Sequence, residues 1–362
     1  MGSDRRLERQ QAVLAQCATE GPGGLIIQSL PNIRYLTGFT GSAGLCMVGR
    51  EGTVLVTDFR YSVQAPQESA TVARIEIDQV NVWDRLFRVL DGGAGGPIGF
   101  EANVATVGDA ERMATKLRER PQGTRGIVEG PRARKDPEEV AAIRAAATLA
   151  EEALAELLPT VRAGQSEFEI AAQLEGGLRR RGSEWHPFPT IVASGPRSAL
   201  PHARTSPRTV APGEFLLIDF GAQVDGYCSD ITRTFVVGAP ADEKQQVVYD
   251  VVDEAARRAR EGVRAGQTGR EADALARRHI AERGYGESFG HSLGHGLGLE
   301  VHEAPRLSPT ADAILPEGAV VTIEPGVYLP GWGGVRIEDD VVLSADRAEP
   351  LTGFSRSLTT LG

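Results

Sequence analysis

Cysteine is scarce in this chain, and its few copies are not arranged in pairs. The 362 residues contain only Cys17, Cys46 and Cys228, which are odd in number and widely separated. This usage argues against a disulfide framework or a cysteine-based zinc site, and it favours a reducing compartment. Long apolar runs are also lacking, and residues 1–6 lead into a polar stretch without the core of a signal peptide. We therefore expect a cytoplasmic protein that does not enter a membrane.

Positive charge and aromatic residues are in short supply as well. Lys and Arg number 39 against 49 Asp and Glu, which gives a net charge of -10, and aromatic residues make up 6%. A nucleic-acid-binding surface would need a local basic excess. Arginines do cluster at residues 179–181 and 257–258, where solvated helix faces are the ordinary explanation. The composition argues against nucleic acid as a partner and fits a globular protein of two domains.

Short apolar strands alternate with helices in the first third of the chain. The pattern predicts strands at residues 24–27, 44–48 and 52–57 and a helix at about 80–90. We expect an α/β domain over residues 1–130. Residues 126–136 are the best boundary, because Pro137 then opens a helix with two glutamates in its first turn.

Residues 137–362 contain an architectural unit that occurs twice. In each copy, two amphipathic helices precede a pair of strands. The first copy has helices at about 137–159 and 166–182 and strands at 214–220 and 227–237; the second has helices at about 243–264 and 269–283 and strands at 318–325 and 334–343. The pattern predicts an α+β domain.

Four carboxylates and one histidine of this second domain are its most informative residues: Asp219, Asp230, His295, Glu324 and Glu338. Asp219 interrupts one apolar strand and Glu324 directly follows another, and an unpaired buried carboxylate is too costly to keep ionised. A single strand aspartate is usually structural, but four strand carboxylates would repel one another unless cations held them. We therefore predict a site for two divalent cations, and oxygen-rich ligands with one nitrogen suit Mn, Co or Zn.

Two hairpins would bring the four carboxylates together. The turn signal at residues 224–226 lies between Asp219 and Asp230, so a hairpin folded there would place the two aspartates opposite one another. Glu324 and Glu338 flank a longer loop in the same manner. If the two hairpins face each other, all four carboxylates converge on one point.

Histidines gather near these residues, and their segments point to a family. His291, His295 and His302 fall within a glycine-rich stretch of twelve positions, and His202 follows the segment 193–201. Five motifs resemble the ligand motifs of the pita-bread metallopeptidases, the superfamily of methionine aminopeptidase, prolidase, aminopeptidase P and creatinase: Ile-Asp-Phe-Gly, Ser-Asp-Ile-Thr-Arg-Thr-Phe, Gly-His-Gly-Leu-Gly, Thr-Ile-Glu-Pro-Gly and Val-Arg-Ile-Glu-Asp. The resemblance implies a creatinase-like α/β N-terminal domain over residues 1–130 and an α+β pita-bread catalytic domain over residues 137–362.

Two further comparisons indicate which branch of the superfamily the chain resembles. Residues 32–42 are similar to the N-terminal domain of prolidase and aminopeptidase P, a domain that methionine aminopeptidases lack. Creatinase has this domain but departs from the ligand set, whereas all five positions are filled here. The resemblance therefore implies an Xaa-Pro metallopeptidase and disfavours creatine hydrolysis.

The resemblance also implies a role for each ligand. Asp219 would bind one metal, His295 and Glu324 the other, and Asp230 and Glu338 both. The two ions would make hydroxide available from a shared water near neutral pH. Glu324 would orient this bridging hydroxide and pass its proton to the departing amine.

Other residues would act on the substrate. His202 and His302 would donate hydrogen bonds to the carbonyl oxygen, and Arg336 would steady a carboxylate or bind that of the substrate. The resemblance implies an apolar slot for the proline ring, walled by His291, Tyr328 and Trp332. Equally, Trp332 could be a loop-tip aromatic used in dimer packing.

Three functions remain open. Peptides with proline at the second position are the expected substrates, and we expect a manganese-dependent homodimer. Aminopeptidase P is slightly favoured, because no inserted segment that would capture a free carboxylate is evident; an Xaa-Pro dipeptidase would need an arginine such as Arg336, or Arg34 from a partner subunit. A non-catalytic protein that binds peptides or proteins is the third alternative, although such members usually lose ligands.

Overall fold

The computed structural model describes residues 4–91 and 96–362. It divides into two compact units, Met1–Arg132 and Ala133–Gly362. None of the described helices is long and apolar enough to cross a membrane.

The first unit is an α/β structure on a six-stranded mixed sheet. Its strands are β1 (Gly24–Ile27), β2 (Leu45–Gly49), β3 (Gly52–Asp58), β4 (Arg74–Asp78), β5 (Ile98–Glu101) and β6 (Gln122–Thr124). Their order is β4-β3-β2-β1-β5-β6; β2 is antiparallel to both β1 and β3, and the other pairs are parallel. The helices are α1 (Arg5–Glu20), α2 (Leu30–Thr37), α3 (Gln64–Ser69), α4 (Val82–Leu90), α5 (Val107–Lys116) and α6 (Glu129–Arg132), with a 3₁₀ turn at Phe59–Tyr61.

Helix α4 illustrates how this unit is assembled. The Asn81 side chain accepts a hydrogen bond from the Trp83 amide and so satisfies one of the free N–H groups at the helix start. Trp83, Leu86 and Phe87 form its buried face and pack in one core with Ile26 of β1. The α/β class expected for this part of the chain is confirmed.

The second unit contains four long helices and two larger sheets. The helices are α7 (Pro137–Leu157), α8 (Glu167–Arg180), α9 (Glu243–Gly262) and α10 (Gly269–Glu282), with 3₁₀ turns at Leu158–Thr160, Gly195–Ala199 and Gly286–Ser288. The strands are β7 (Ile191–Ser194), β8 (Glu214–Phe220), β9 (Gln223–Val224), β10 (Tyr227–Cys228), β11 (Ile231–Val237), β12 (Gly294–Gly296), β13 (Glu303–Leu307), β14 (Val320–Ile323), β15 (Gly326–Leu329), β16 (Gly333–Arg336), β17 (Asp339–Leu343), β18 (Ala348–Pro350) and β19 (Thr360–Leu361). The two larger sheets have the orders β19-β11-β8-β7 and β13-β12-β14-β17-β18.

Each helix pair covers one of these sheets. All four helices begin with a capping box, in which the N-cap side chain and the side chain three residues later satisfy each other's backbone N–H groups. Apolar residues of α7 and α8 pack against the four-stranded sheet, and those of α9 and α10 pack against the five-stranded sheet. The α+β class predicted for this part of the chain is therefore confirmed.

The first hairpin, formed by β8 to β11, corrects one expected pairing. Its two-residue tip is Asp225–Gly226, and both tip residues have positive φ, as a type I′ turn requires. Asp219 consequently lies opposite Thr232, and the same register continued puts Gly221 opposite Asp230. The two aspartates are diagonal neighbours rather than direct partners. Because the difference is two residues, both still project from the same face.

The second hairpin, formed by β14 to β17, runs in one register along its whole length. Ile323 pairs with Asp339 in the ladder of β14 and β17, and Gly326 pairs with Arg336 in the ladder of β15 and β16. The same register continued puts Glu324 opposite Glu338, in the short gap between the ladders. The hairpin therefore holds these two carboxylates as cross-strand neighbours.

Candidate metal centre and substrate site

The five residues singled out in the sequence line one cavity of the second unit. This cavity has a volume of about 1570 Å³. The His295 Nε2 atom lies 3.4 Å from Glu324 Oε1 and 3.8 Å from Asp230 Oδ2. One ligand atom each from Asp230, His295 and Glu338 lie within 4.8 Å of one another. The two hairpins and strand β12 thus bring together residues that are more than 100 positions apart.

Two oxygen atoms of this cluster have no hydrogen-bond partner in the part of the chain that the structure describes. Asp219 Oδ1 and Asp230 Oδ1 are buried and accept no hydrogen bond from any described residue. A buried acceptor left without a donor is costly, and carboxylate oxygens in this state are suitable ligands for a hard cation. The donor set of four carboxylates and one imidazole therefore fits a pair of divalent metal ions.

The backbone fixes the tautomer of His295. Its Nδ1 atom lies 3.0 Å from the carbonyl oxygen of Gly296. A carbonyl oxygen only accepts hydrogen bonds, so Nδ1 must carry the proton and Nε2 presents its lone pair to the carboxylates. Burial, and then the neighbouring His302, lower the pKa of His295 to about 4. The ring is therefore neutral at physiological pH, as a metal ligand must be.

Burial and mutual repulsion disfavour the charged carboxylates. Burial, and then the charges of Glu338 and Asp219, raise the pKa of Asp230 well above its usual value. The pKa of Glu338 is raised by burial and then by Glu324 and Asp219. Burial raises the pKa of Glu324 to about 8. These shifts are those of the protein groups alone, and bound cations would reverse them because they favour the ionised forms.

Arg336 and Thr232 hold two of the carboxylates in position. The Arg336 Nη2 atom donates to Asp219 Oδ2 at 2.5 Å, and its Nε atom donates to the Thr232 hydroxyl at 3.1 Å. Thr232 in turn donates to Glu338 Oε2 at 2.6 Å. All of these side chains are buried. Arg336 therefore acts on Asp219 directly and on Glu338 through one hydroxyl group.

The remaining donors of Arg336 lead to His291. Arg336 Nη1 donates to the Pro201 carbonyl at 3.1 Å and to the Tyr328 hydroxyl at 2.8 Å. His291 Nδ1 donates to the Ser292 carbonyl at 2.8 Å, so its Nε2 atom accepts from the Tyr328 hydroxyl at 2.9 Å. Burial, and then the charge of Arg336, lower the pKa of His291 to about 4. Arg336 thus donates a hydrogen bond to Tyr328, and Tyr328 donates one to His291.

Asp339, next to Glu338, is the centre of a second buried ion-pair group. Its carboxylate accepts from Arg233 Nη2 at 2.8 Å, from Arg260 Nη1 at 2.9 Å and from Arg356 Nε at 2.6 Å. Arg233 also donates to the Glu338 carbonyl at 2.6 Å. Burial alone would raise the pKa of Asp339, but the arginines, with Arg233 first among them, lower it to about 2. This group fixes the backbone on which Glu338 is carried.

The other residues expected at the site fall into two groups. His202, His291, His302 and Arg336 line the cavity, and the His302 ring lies 4.2 Å from that of His295. Among the described residues that line the cavity, neither Tyr328 nor Trp332 is found. Tyr328 lies behind the wall as the partner of Arg336 and His291.

Trp332 contacts residues that are not part of the described cavity wall. Its ring packs edge to face on Phe215 at 5.5 Å, and Lys244 Nζ lies 4.1 Å above it. It packs against the core that α9 and α10 form with the five-stranded sheet. The expectation that Trp332 walls the slot rested on its position in a glycine-rich loop, but that loop is the tip of the second hairpin and folds back onto the core.

Several site residues were missed in the sequence. Thr232 has a hydroxyl in the same motif as Asp230, which was a usable signal. Asp340 is buried and accepts the Asp230 amide hydrogen bond at 3.0 Å, and it follows Glu338 by two positions. Arg306 and Arg204 line the cavity, but no sequence spacing relates them to the ligands. The position of Arg306 depends on strand register and that of Arg204 on the path of a loop, and the sequence alone provides neither.

Comparison with known proteins agrees with this geometry. The sequence models of the Creatinase/Prolidase N-terminal domain and of Metallopeptidase family M24 match residues 9–133 and 141–345. An uncharacterized peptidase, YqhT, of Bacillus subtilis is 40% identical over 98% of this chain and 100% of its own length. An Xaa-Pro dipeptidase of Pyrococcus horikoshii is 38% identical over 92% of this chain and 93% of its own length.

Solved structures are similar over nearly the whole chain. An Xaa-Pro dipeptidase from Bacillus anthracis has a TM-score of 0.95 at 38% identity and covers 98% of this chain and 100% of its own. An X-Pro aminopeptidase from Thermotoga maritima has a TM-score of 0.90 at 39% identity, with coverages of 97% and 99%. The creatinase-like N-terminal domain and the pita-bread fold are thereby confirmed. The chain belongs to metallopeptidase family M24, a family of dimetal enzymes.

Proposed function

We propose that this enzyme hydrolyses the peptide bond between an N-terminal residue and proline. The observation that carries the proposal is the convergence of Asp219, Asp230, His295, Glu324 and Glu338 in one cavity, with two buried oxygens left for cations. Two relatives named Xaa-Pro dipeptidase match this chain over 92% and 90% of its length. An Xaa-Pro bond offers no amide hydrogen, so a site that relied on that donor would fail on it.

The site residues would have separate roles in the reaction. Asp219, Asp230, His295, Glu324 and Glu338 would hold two divalent cations, which supply Lewis acidity and acidify water. Glu324 would accept a proton from the attacking water and deliver it to the departing proline nitrogen.

The substrate carbonyl needs donors of its own. His202 and His302 line the cavity, and each would donate a hydrogen bond to the carbonyl oxygen as it gains negative charge. Arg336 would position Asp219 and Glu338. Its Nε and Nη1 donors are used within the protein, so a role in binding a substrate carboxylate is disfavoured.

Arg306 favours the dipeptidase over the aminopeptidase P alternative. It lies directly opposite His295 in the pairing of β12 and β13, so the two side chains project from the same face of the sheet. Its side chain lines the cavity, and its guanidinium has no hydrogen bond or ion pair within residues 4–91 and 96–362. A free guanidinium beside the carboxylate cluster is suited to bind the carboxylate of a C-terminal proline. We therefore propose an Xaa-Pro dipeptidase.

The aminopeptidase P type remains the second candidate. The cavity of about 1570 Å³ exceeds the volume of a dipeptide, and a T. maritima protein of similar structure is named an X-Pro aminopeptidase. Under this alternative, Arg306 would be a solvated residue of the cavity wall. The two candidates differ in what lies beyond the proline.

A comparison of Leu-Pro with Leu-Pro-Gly separates the two candidates. If Arg306 binds the proline carboxylate, the dipeptide should be preferred in kcat/KM by about a hundredfold or more, because the tripeptide leaves the guanidinium unpaired. Arg306→Met should then raise KM for Leu-Pro about 10- to 100-fold, the effect of losing a charged hydrogen bond. Leu-Pro-Gly should be affected little.

Arg204→Met is the matched control, since Arg204 also lines the cavity but is not paired with His295. Equal hydrolysis of both peptides by the wild type would favour the aminopeptidase. Loss of preference in the Arg204 variant alone would assign the carboxylate to that residue instead.

The proposal also covers the metal, the domains, the location and the oligomeric state. Manganese is the first choice of metal, with cobalt and zinc as alternatives, on the preferences of oxygen-rich sites. We also propose functional domains at residues 1–130 and 137–362, and a cytoplasmic location that is supported by the free thiols of all three cysteines. A homodimer is proposed on the family resemblance alone, and light scattering on the purified protein would test it.

A further inference from the structure

Helix α10 carries an ion pair that faces the segment 289–293, which leads to His295. Asp273 and Arg277 lie one helical turn apart, and the Arg277 Nε and Nη2 atoms donate to the two Asp273 carboxylate oxygens at 2.6 and 2.9 Å. Asp273 is buried, and the Arg277 guanidinium lies over the Phe289 ring, 4.2 Å from its centroid. Two parallel hydrogen bonds of this kind hold both side chains in one geometry.

The ion pair binds the backbone of this segment at three alternate residues. Arg277 Nη1 donates to the Phe289 carbonyl at 2.8 Å, and Arg277 Nη2 donates to the His291 carbonyl at 2.6 Å. Asp273 Oδ1 accepts from the Leu293 amide at 3.0 Å. Because both partners contribute to these bonds, the ion pair as a whole fixes the path of the segment.

Leu293 connects the ion pair to two residues of the metal centre. Its amide is held by Asp273, and its carbonyl accepts from the Glu324 amide at 2.8 Å. His295 follows two positions later. The His295 amide donates to the Thr322 hydroxyl at 3.1 Å, and this hydroxyl donates to Glu324 Oε1 at 3.3 Å. The position of α10 is therefore transmitted through one residue to both His295 and Glu324.

The two aspartates of the metal centre have other supports. From the ion pair, hydrogen bonds lead to Asp219 through three successive side chains, and the last of these, Arg336, is also bonded to Thr232. The Asp230 amide donates to Asp340 Oδ2 at 3.0 Å. In the described part of the chain, the ion pair makes no hydrogen bond of its own to the hairpin that carries the aspartates. A change in the ion pair should therefore affect the ligands unequally.

We propose that Asp273 and Arg277 are positioning residues for one of the two cation sites, the one to which His295 and Glu324 belong. This step rests on the proposed function and on the division of ligands that the family resemblance implies. The ion pair supplies no ligand. It holds the backbone that keeps His295 Nε2 and Glu324 Oε1 3.4 Å apart, a separation at which both atoms can bind the same ion.

Titration calorimetry of the chelated protein with manganese tests the inference, because it follows both binding steps. Asp273→Ala should weaken one step about 10- to 100-fold, as when other residues that orient ligands are lost, and leave the other within about twofold. Electron paramagnetic resonance gives a second readout. At a manganese concentration that just saturates the wild type, the variant should show the spectrum of an isolated ion instead of that of a coupled pair.

Arg277→Lys is a milder variant, in case Asp273→Ala does not fold. Lysine keeps the positive charge beside Asp273 but lacks the planar fork that reaches the carbonyls of the segment. The same binding step should weaken by about 3- to 10-fold. Glu254→Gln is the matched control, since Glu254 pairs with Arg257 in an exposed ion pair of the neighbouring helix α9. Both steps should stay within about twofold of wild type in this variant.

The pattern of the two steps decides the outcome. Equal weakening of both steps in a folded variant, or no change in either, overturns the inference, because a merely structural ion pair would not distinguish the two cations. A wild-type protein that binds fewer than two manganese ions instead overturns the two-cation site of the proposed function. The two failures are therefore distinguishable.

Discussion

The imidazole rings of the site depend on the backbone for their protonation. His291 and His295 both donate from Nδ1 to the carbonyl of the following residue, at 2.8 and 3.0 Å. Each ring therefore offers an unprotonated Nε2 atom. That of His295 faces the carboxylates, whereas that of His291 accepts from Tyr328. The same hydrogen bond to the backbone thus prepares His295 to bind a metal and His291 to accept a hydrogen bond within the protein.

Thr232→Val should weaken metal binding without removing a ligand. The valine keeps the shape of the side chain but leaves Glu338 without a donor and Arg336 Nε without an acceptor, which should destabilise the fold by about 1–3 kcal/mol. We expect metal affinity, measured by titration calorimetry, to fall about 10- to 100-fold, as when other residues that orient ligands are lost.

Thr234→Val provides the comparison for Thr232. Among the described residues, the Thr234 hydroxyl bonds only to the backbone N–H and carbonyl of Arg336, at 3.2 and 3.0 Å. Its loss should therefore lower stability but leave metal affinity within about threefold of wild type. Equal metal affinities for the two variants would show that Thr232 does not support metal binding.

Strands bring the site together because each carries its carboxylate at a defined register. Asp219 and Asp230 belong to one hairpin, Glu324 and Glu338 to another, and the Glu338 amide donates to the Thr232 carbonyl at 3.1 Å where the hairpins meet. The ion-pair group of Asp339 connects strand β17 to Arg233 of β11 and Arg260 of α9. It therefore stabilises the junction of the two hairpins.

Asp339→Asn should be strongly destabilising. The change leaves Arg233, Arg260 and Arg356 without their shared negative partner, and removing one partner of a buried ion pair costs about 3–5 kcal/mol. The free energy of unfolding from urea titration measures this loss. Glu349→Gln, at the exposed pair with Arg144, should cost less than about 1 kcal/mol and serves as the control. A loss below 1 kcal/mol for Asp339→Asn would contradict the structural role.

At the level of the elements, the sequence was informative about periodicity and less so about register. Apolar runs located β8 and β14, and Pro137 with the two glutamates that follow it located the start of α7. The pairing of Asp219 was expected two residues away from its actual position, because the turn signal at residues 224–226 does not specify which two residues form the tip. Arg306 was missed for the same reason, since only the pairing of β12 with β13 places it opposite His295.

For the molecule as a whole, metal removal should loosen one unit and not the other. The cluster connects β8, β11, β12, β14 and β17 of the second unit, and without cations its four carboxylates repel one another. With manganese at a hundred times its dissociation constant, binding stabilises the fold by about 2.7 kcal/mol. Hydrogen exchange in these strands should therefore slow by up to about a hundredfold when manganese is added to the chelated protein.

Strands β1 to β5 of the first unit provide the internal reference in the same experiment. Their exchange should be unchanged, because none of the five cluster residues belongs to this unit. Equal slowing throughout the chain would show a general effect of the salt rather than occupation of the site.

The family of the whole chain could be predicted from the sequence because the motifs that indicate it are short and continuous. The five ligand motifs are each four to seven residues long, and they lie next to apolar strands. The packing of Trp332 could not be predicted, because a glycine-rich loop gives no information about the side on which it folds. The proposed role of Arg306 was inaccessible from the sequence, since this residue becomes relevant only through the cavity that it lines.

The single register of the second hairpin also limits where the chain tolerates a change of length. An extra residue between Glu324 and Gly326 would turn Glu324 to the opposite face of the strand, because side chains alternate along it. The tip between Leu329 and Gly333 carries no such constraint, since both ladders would remain aligned. Insertions and deletions compatible with activity should therefore accumulate at this tip. The number of residues between each glutamate and the adjoining strand ladder should stay constant.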